Sequence, residues 1–544
     1  MPEHANNGLN RMGFLKRFAP ALILPVLFFV LVARLNSARA PSYSAGMQDP
    51  DYLYLFSGLS LSRLRVPQHV DNPGTPVQLT SAIAMRLWHL KNCATQEKCG
   101  GYVDEVLLAP EQVLKWSSRA ILLLSTFALA LCGLVLVWRG FGPLTVFLVQ
   151  SGFWFFTPAV YYWGRVTPEG FMIIPAALLV AVLALHLRPK VGRSIDPKKL
   201  ALVQGLVLGF GLATKLVFLP LALTVFFFSR WRDRFLCGLA TLVSFAVFAA
   251  PVLFHMRYFL NWVTQLAGGT HVDSKLPPAS DVIESVLLAS PDIYKALFVL
   301  GSFCLVSVVF EWRNRARNIS LLPSRVFGVL FLVLFVQLLL VTRRPNINYF
   351  IAPMLVVLPF LILTVIRFSA SLWKTGQRSA RVGAVLLLAT TVFYFASLGW
   401  GRVLTLYSMA DLFREDRTEQ MKLLETYGNG ECRLVGFYTS TLPTYALAYG
   451  NSYDGKRYSL DLQRLYPDAI QYNESGKAGF SNFGKLIDDD QIRQSMKQGQ
   501  CFMLYGNRGR IAEGENFMRN MRLRHLASTS NAGIYQLLEL KKEN

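Results

Sequence analysis

The residues best suited to chemistry are acidic and lie where acids are costly to hold. Between Gly46 and Leu79 the chain reads GMQDPDYLYLFSGLSLSRLRVPQHVDNPGTPVQL, which puts Asp49, Asp51, Asp71 and His69 among Tyr, Phe and Leu residues just beyond a membrane-length apolar segment. Carboxylates against apolar surface at a membrane boundary lose hydration, so their proton affinity rises toward working pH and they suit general-base chemistry. A plainer reading makes Asp49 to Asp51 the acidic cap of an interfacial amphipathic helix. Glu169, in Arg165-Val-Thr-Pro-Glu169, could orient a hydroxyl or bind a cation, although Thr-Pro-Glu is also an ordinary helix start. Lys215 interrupts a long apolar run, and Arg343 and Arg344 close another; such cations suit phosphate oxygens. Snorkelling to lipid headgroups is the alternative for all three. His69 and Asp71 could share a hydrogen bond that shapes the loop, with Pro73-Gly74 as its tight turn.

The elements that must position these groups are mostly membrane spans. The 544 residues are 53% apolar, with positive mean hydropathy, the composition of a polytopic α-helical membrane protein with room for one soluble domain. Lys+Arg 55 against Asp+Glu 33 gives a formal charge of +22. The basic residues fall between apolar segments, so membrane topology accounts for the excess and nucleic acid is not a partner.

The apolar run Ala19 to Ala33 follows a basic tail and resembles a signal peptide, with Ala38-Arg39-Ala40 as a cleavage site; an uncleaved first span fits the later topology better. Further spans read at about Ala120 to Trp138, Pro143 to Trp163, Phe171 to Leu187, Phe235 to Phe254, Ile293 to Phe310, Val326 to Val341, Phe350 to Ile366 and Val382 to Trp400. Leu200 to Phe228 is too long for one span and has basic residues at both ends. It reads as a hairpin of two short helices turning near Thr214-Lys215, or a broken re-entrant pair. The total is about eleven spans, with the N-terminus cytoplasmic and the C-terminus outside. The loop 36–118, Gly164 to Gly170, His255 to Asp292 and Thr342 to Tyr349 then share the exterior face.

Residues 1–407 thus form a membrane body and 408–544 a soluble α/β domain. In the latter, Glu431 to Tyr438, Gln500 to Tyr505 and Ile534 to Leu540 read as strands and Asp490 to Lys497 as a helix. Gly506-Asn-Arg-Gly509 reads as a turn, and no nucleotide-binding glycine fingerprint is present. Of seven cysteines, Cys132, Cys237 and Cys304 lie in apolar segments. Cys93 and Cys99 share one exterior stretch and Cys432 and Cys501 another, which suggests disulfides Cys93–Cys99 and Cys432–Cys501 in an oxidising compartment. The second bridge would tie neighbouring strands at one edge. No second Cys/His pair has finger-like spacing, which makes disulfides a stronger reading than metal ligation.

Asp49-Pro-Asp-Tyr52, His69-Val-Asp-Asn-Pro-Gly-Thr-Pro76 and Arg165-Val-Thr-Pro-Glu169, with Gly211-Leu-Ala-Thr-Lys215 and Asn348-Tyr-Phe-Ile-Ala-Pro353, together resemble the GT-C fold polyprenyl-phosphate-dependent glycosyltransferases, the superfamily of protein mannosyltransferases and aminoarabinose transferases. The resemblance spans roughly the first 360 residues and rests on the order and sidedness of short motifs. It implies an inverting transfer of sugar from a polyprenyl-phosphate donor to a glycan, lipid or protein acceptor on the extracytoplasmic face. Cysteine placement and topology make that face the periplasmic side of a bacterial inner membrane, with the endoplasmic reticulum as the alternative. Asp49 matches the leading Asp of the family motif and is the first choice of base, with Asp51 its rival. Glu169, His69, Asp71 and Tyr52 would contact acceptor or cation, and Lys215, Arg343, Arg344 and Arg165 the donor phosphate. No cofactor is required; Mg or Mn on Asp49, Asp51 and Glu169 is chemically compatible. The competing reading is a lipid-linked sugar transporter or flippase, whose charges would line a passage.

Overall fold

The computed structural model describes residues 18–39, 51–70, 74–95, 99–187, 195–268, 291–313, 323–341, 346–374, 378–398, 400–427, 432–437, 442–473, 479–508, 521–529 and 532–540. Asp49, Asp71, Arg343 and Arg344 lie outside them. The chain divides into two compact units, one of residues 1–33, 70–77 and 121–406, the other of 34–69, 78–120 and 407–544.

Six helices among the described residues are long and apolar enough to cross a membrane: Pro20–Ser37, Pro110–Trp138, Pro168–His186, Asp292–Val309, Pro323–Val341 and Ile347–Trp373. The protein is therefore a multi-pass integral membrane protein. Among the described residues, fewer uninterrupted spans are present than the eleven expected, and two local features contribute. The apolar stretch after Pro143 breaks into Pro143–Ser151, a 3-10 turn Gly152–Trp154 and Thr157–Tyr162, punctuated by Gly152 and Pro158. The helix Trp231–Phe248 begins with Arg232, Asp233 and Arg234 and so lacks a full apolar window.

Residues 200–228 do break where the sequence suggested. The helix Pro197–Thr214, capped by Asp196, ends at Lys215, whose extended backbone (φ −163°, ψ 140°) leads into the 3-10 helix Leu216–Phe227. Pro197–Thr214 packs against Trp231–Phe248 through Gly205 and Gly209. A Cβ on Gly205 would overlap the Cys237 carbonyl and one on Gly209 the Thr241 carbonyl. Small residues one turn apart let two membrane helices approach closely, and the Ser244 hydroxyl donates across the seam to the Leu206 carbonyl at 2.7 Å. The helix Ile351–Lys374 is buried throughout 351–365, a stretch that is apolar except for Thr364, and it meets Pro143–Ser151, Ile173–His186, Leu216–Phe227 and Pro323–Val341.

The second unit carries a seven-stranded mixed sheet: β1 Cys432–Phe437, β2 Ile470–Asn473, β3 Gly479–Asn482, β4 Lys485–Leu486, β5 Cys501–Asn507, β6 Met521–Ser528 and β7 Ala532–Leu540. The order is β4-β3-β2-β1-β5-β7-β6, with β1 parallel to β2 and β5 and the other pairs antiparallel. Alternation places Phe502 and Leu504 in one core with Val435, Phe437 and Ile492, while Tyr505 and Met503 face the other with Leu423 and Ile534. Cys432 and Cys501 are register partners and form a disulfide. Cys93 and Cys99 form the other. The Cys432–Cys501 bridge ties neighbouring strands, as expected, but β1 and β5 lie inside the sheet and not at its edge. Gly506 and Asn507 belong to β5 and not to a turn.

The helix Tyr52–Ser62 also differs from the interfacial amphipathic helix considered above. Tyr52 through Ser60 are all buried, because the helix packs inside this unit against Pro443–Tyr453. Gly450 makes that approach possible, since a Cβ there would stand 2.7 Å from the Tyr52 carbonyl oxygen.

Candidate functional site

Three sequence motifs of the membrane unit meet around one buried ion pair. Thr167 accepts a hydrogen bond from the Gly170 amide at 3.3 Å, Pro168 occupies the first helical position, and Glu169 falls in the first turn. The tight approach of residues 162–170 needs Gly170, where a Cβ would overlap the carbonyls of Tyr162 and Arg165. From the break after Thr214, Lys215 donates through Nζ to Glu169 Oε1. Their side chains are 9% and 14% exposed, so each largely forgoes hydration and depends on its partners.

The third motif supplies the aromatic wall. Ile347–Phe350 forms a 3-10 turn capped by Asn346, and the Tyr349 ring lies 5.5 Å from Lys215 Nζ, a cation–π contact. Asn348 Nδ2 donates to the Tyr162 hydroxyl at 3.0 Å, and Gln337 Nε2 to the Tyr349 carbonyl at 2.9 Å. Arg165 is buried in the loop before Glu169, within electrostatic reach of Tyr162. Glu169, Lys215 and Arg165 are thus brought together with Tyr162, Asn348 and Tyr349. A carboxylate already bonded to a lysine is a poor start for an Mg or Mn site, which needs several free oxygen ligands. Glu169, the described candidate ligand in this unit, does not fit that metal.

In the other unit, Asp51 is fully buried at the N-cap position of Tyr52–Ser62. Its carbonyl accepts from the Tyr54 and Leu55 amides, but its side chain makes no capping hydrogen bond, so capping does not explain the carboxylate. The Tyr52 hydroxyl donates to Glu111 Oε1 at 2.8 Å, and burial first, then the Glu111 charge, push its proton affinity well above the usual tyrosine value. Arg417 lies within electrostatic reach of Glu111, Tyr52 and Tyr505, with Nε and Nη1 buried and without hydrogen-bond partners.

His69 is buried between two rings, edge-on to Tyr54 at 5.6 Å and to Tyr453 at 5.5 Å. Its carbonyl accepts from Gln78 Nε2, and Asp454 is within electrostatic reach. Asp454 in turn accepts from the Ser60 hydroxyl at 2.6 Å and the Gln68 amide at 3.0 Å. Sequence reasoning missed Glu111, Arg417 and Asp454. Glu111 is written as a helix start and Asp454 as a turn residue, and no spacing links either to Tyr52 or His69.

These features define a multi-pass membrane protein whose apolar body holds a buried Lys–Glu pair at a helix interruption, and whose second unit is built on a mixed sheet. No protein-family model matches the chain, and no curated protein does. Among solved structures, the chain is similar to ArnT from Cupriavidus metallidurans bound to undecaprenyl phosphate, at 11% identity and TM-score 0.48 over 98% of this chain and 99% of that one. It is also similar to the same protein in the apo state, at 12% identity and TM-score 0.49 over 94% and 97% of the two chains.

Proposed function

We propose that the protein is an integral-membrane, inverting glycosyltransferase that takes a sugar from a polyprenyl-phosphate donor on the extracytoplasmic face. The observation that carries this reading is the buried Lys215–Glu169 pair at the break between Pro197–Thr214 and Leu216–Phe227. An ionisable pair inside a membrane unit is costly, and one set at a helix interruption beside a tyrosine ring and a buried arginine marks a polar substrate position. Lys215 can exchange its carboxylate partner for an arriving phosphate, and Arg165 adds charge nearby. Both would stabilise the lipid phosphate as it leaves. In the reaction the acceptor oxygen bonds to the anomeric carbon, the bond from that carbon to the phosphate oxygen breaks, and the acceptor proton passes to a carboxylate. The family resemblance assigns that base to Asp49 or Asp51.

The test uses purified protein in liposomes, an isotope-labelled sugar on a polyprenyl phosphate, and an envelope extract as the acceptor pool. Wild type forms a glycosidic product and releases polyprenyl phosphate. Loss of the base lowers turnover by about 10²–10⁴-fold. Wild-type rates in both Asp49→Asn and Asp51→Asn would overturn the base assignment. Movement of the lipid-linked sugar across the bilayer without any product would replace the enzyme with a flippase. Lys215→Met raises the KM for donor more than that for acceptor; equal effects would remove its phosphate role.

A further inference from the structure

The helix Thr75–Thr95 carries His89 and Cys93 one turn apart on the same face, and the chain returns to bring Cys99 and Glu105 beside them. One ligand atom from each of the four lies within 4.8 Å of the others. Glu105 Oε2 is 2.8 Å from His89 Nδ1, which turns Nε2 toward the sulfurs, 3.6 Å from Cys93 Sγ and 3.8 Å from Cys99 Sγ. The other Glu105 oxygen accepts from the Gly100 amide at 3.0 Å, an approach that a Cβ at Gly100 would block. The His89 ring also rests edge-on against Tyr102, which Arg86 covers from 4.1 Å.

We infer that the dithiol form of Cys93 and Cys99 binds a zinc ion together with His89 Nε2, with Glu105 orienting the imidazole through Nδ1. Two thiolates and an imidazole select zinc over hard cations, and a carboxylate on the second ring nitrogen is the usual support of a zinc-bound histidine. The fourth position is open to water. The Cys93–Cys99 disulfide is the alternative state of the same site. Passage between them takes two electrons from a dithiol reductant, which itself becomes a disulfide. The Cys93–Cys99 bond breaks, and the two thiol protons leave as the ion binds. This site is independent of the transferase reading.

The test titrates full-length protein in detergent with cobalt, then displaces it with zinc, after reduction by a phosphine that is removed. Reduced wild type takes one ion at this site with a thiolate-to-cobalt charge-transfer band, and the oxidised protein does not. Cys93→Ser/Cys99→Ser, reduced in parallel, controls for the other five cysteines and lacks the band. Glu105→Gln keeps the band but binds about 10–100-fold more weakly. Binding by reduced wild type no tighter than by the double serine variant would overturn the proposal, as would wild-type affinity in both His89→Ala and Glu105→Gln.

Discussion

Lys215 and Glu169 form a buried ion pair, so removing one takes from the other its opposite charge in a low-dielectric setting. Lys215→Met is expected to lower stability by about 3–5 kcal/mol, and Lys215→Met/Glu169→Gln to recover most of that, measured by thermal unfolding in detergent. Asp454 gives a pH test. Burial first of all holds its carboxyl above the ordinary 3.8, against opposing bonds from Ser60 and Gln68. The native state then keeps a proton that the unfolded chain has released, so stability falls as pH rises from about 4 through the raised native value. Asp454→Asn should lack that fall, and the gap between the two proteins in unfolding temperature should change with pH across this window. Among single residues, the sequence singled out Lys215 because a lysine in an apolar run should be paired or face water, and Glu169, picked out in Arg165-Val-Thr-Pro-Glu169, is its partner. Glu111 and Arg417 were not legible, since their partner Tyr52 is 59 positions or more away and nothing local announces it.

Helices and strands were legible where one residue type settles the backbone. The extended Lys215 between a helix and a 3-10 segment was foreseeable from the excess length of the run, and β1, β5 and β7 from apolar stretches bounded by turn residues. For Tyr52–Ser62 the sequence left two readings open, because its aromatic spacing fits a membrane interface as well as burial against Pro443–Tyr453. The Gly205 and Gly209 seam makes a prediction about packing alone. Gly209→Val would force its helix away from Trp231–Phe248 and should cost about 1–3 kcal/mol, whereas Gly238→Val, which meets nothing within 4 Å, should change stability little in the same unfolding assay.

At the scale of the chain, what composition could not convey is that residues 34–69 and 78–120 belong with 407–544 in one compact unit. Adjacency between distant segments is a tertiary fact that no local pattern encodes. The two disulfides constrain this unit unequally. With 69 positions between its cysteines, the Cys432–Cys501 bridge should stabilise by about 4 kcal/mol on loop-closure grounds, and Cys93–Cys99, with 6, by about 2 kcal/mol. Cys432→Ser/Cys501→Ser should therefore lower the unfolding midpoint more than Cys93→Ser/Cys99→Ser.

The bond between Ser60 and Asp454 joins positions 394 residues apart. At ribosomal speeds, roughly 20–80 s separate the emergence of the two, and throughout that interval the apolar helix made early lacks the partner made late. A nascent chain stalled before residue 443 should consequently recruit holdase chaperones to Tyr52–Ser60, and release from them should coincide with completion of the Pro443–Tyr453 segment.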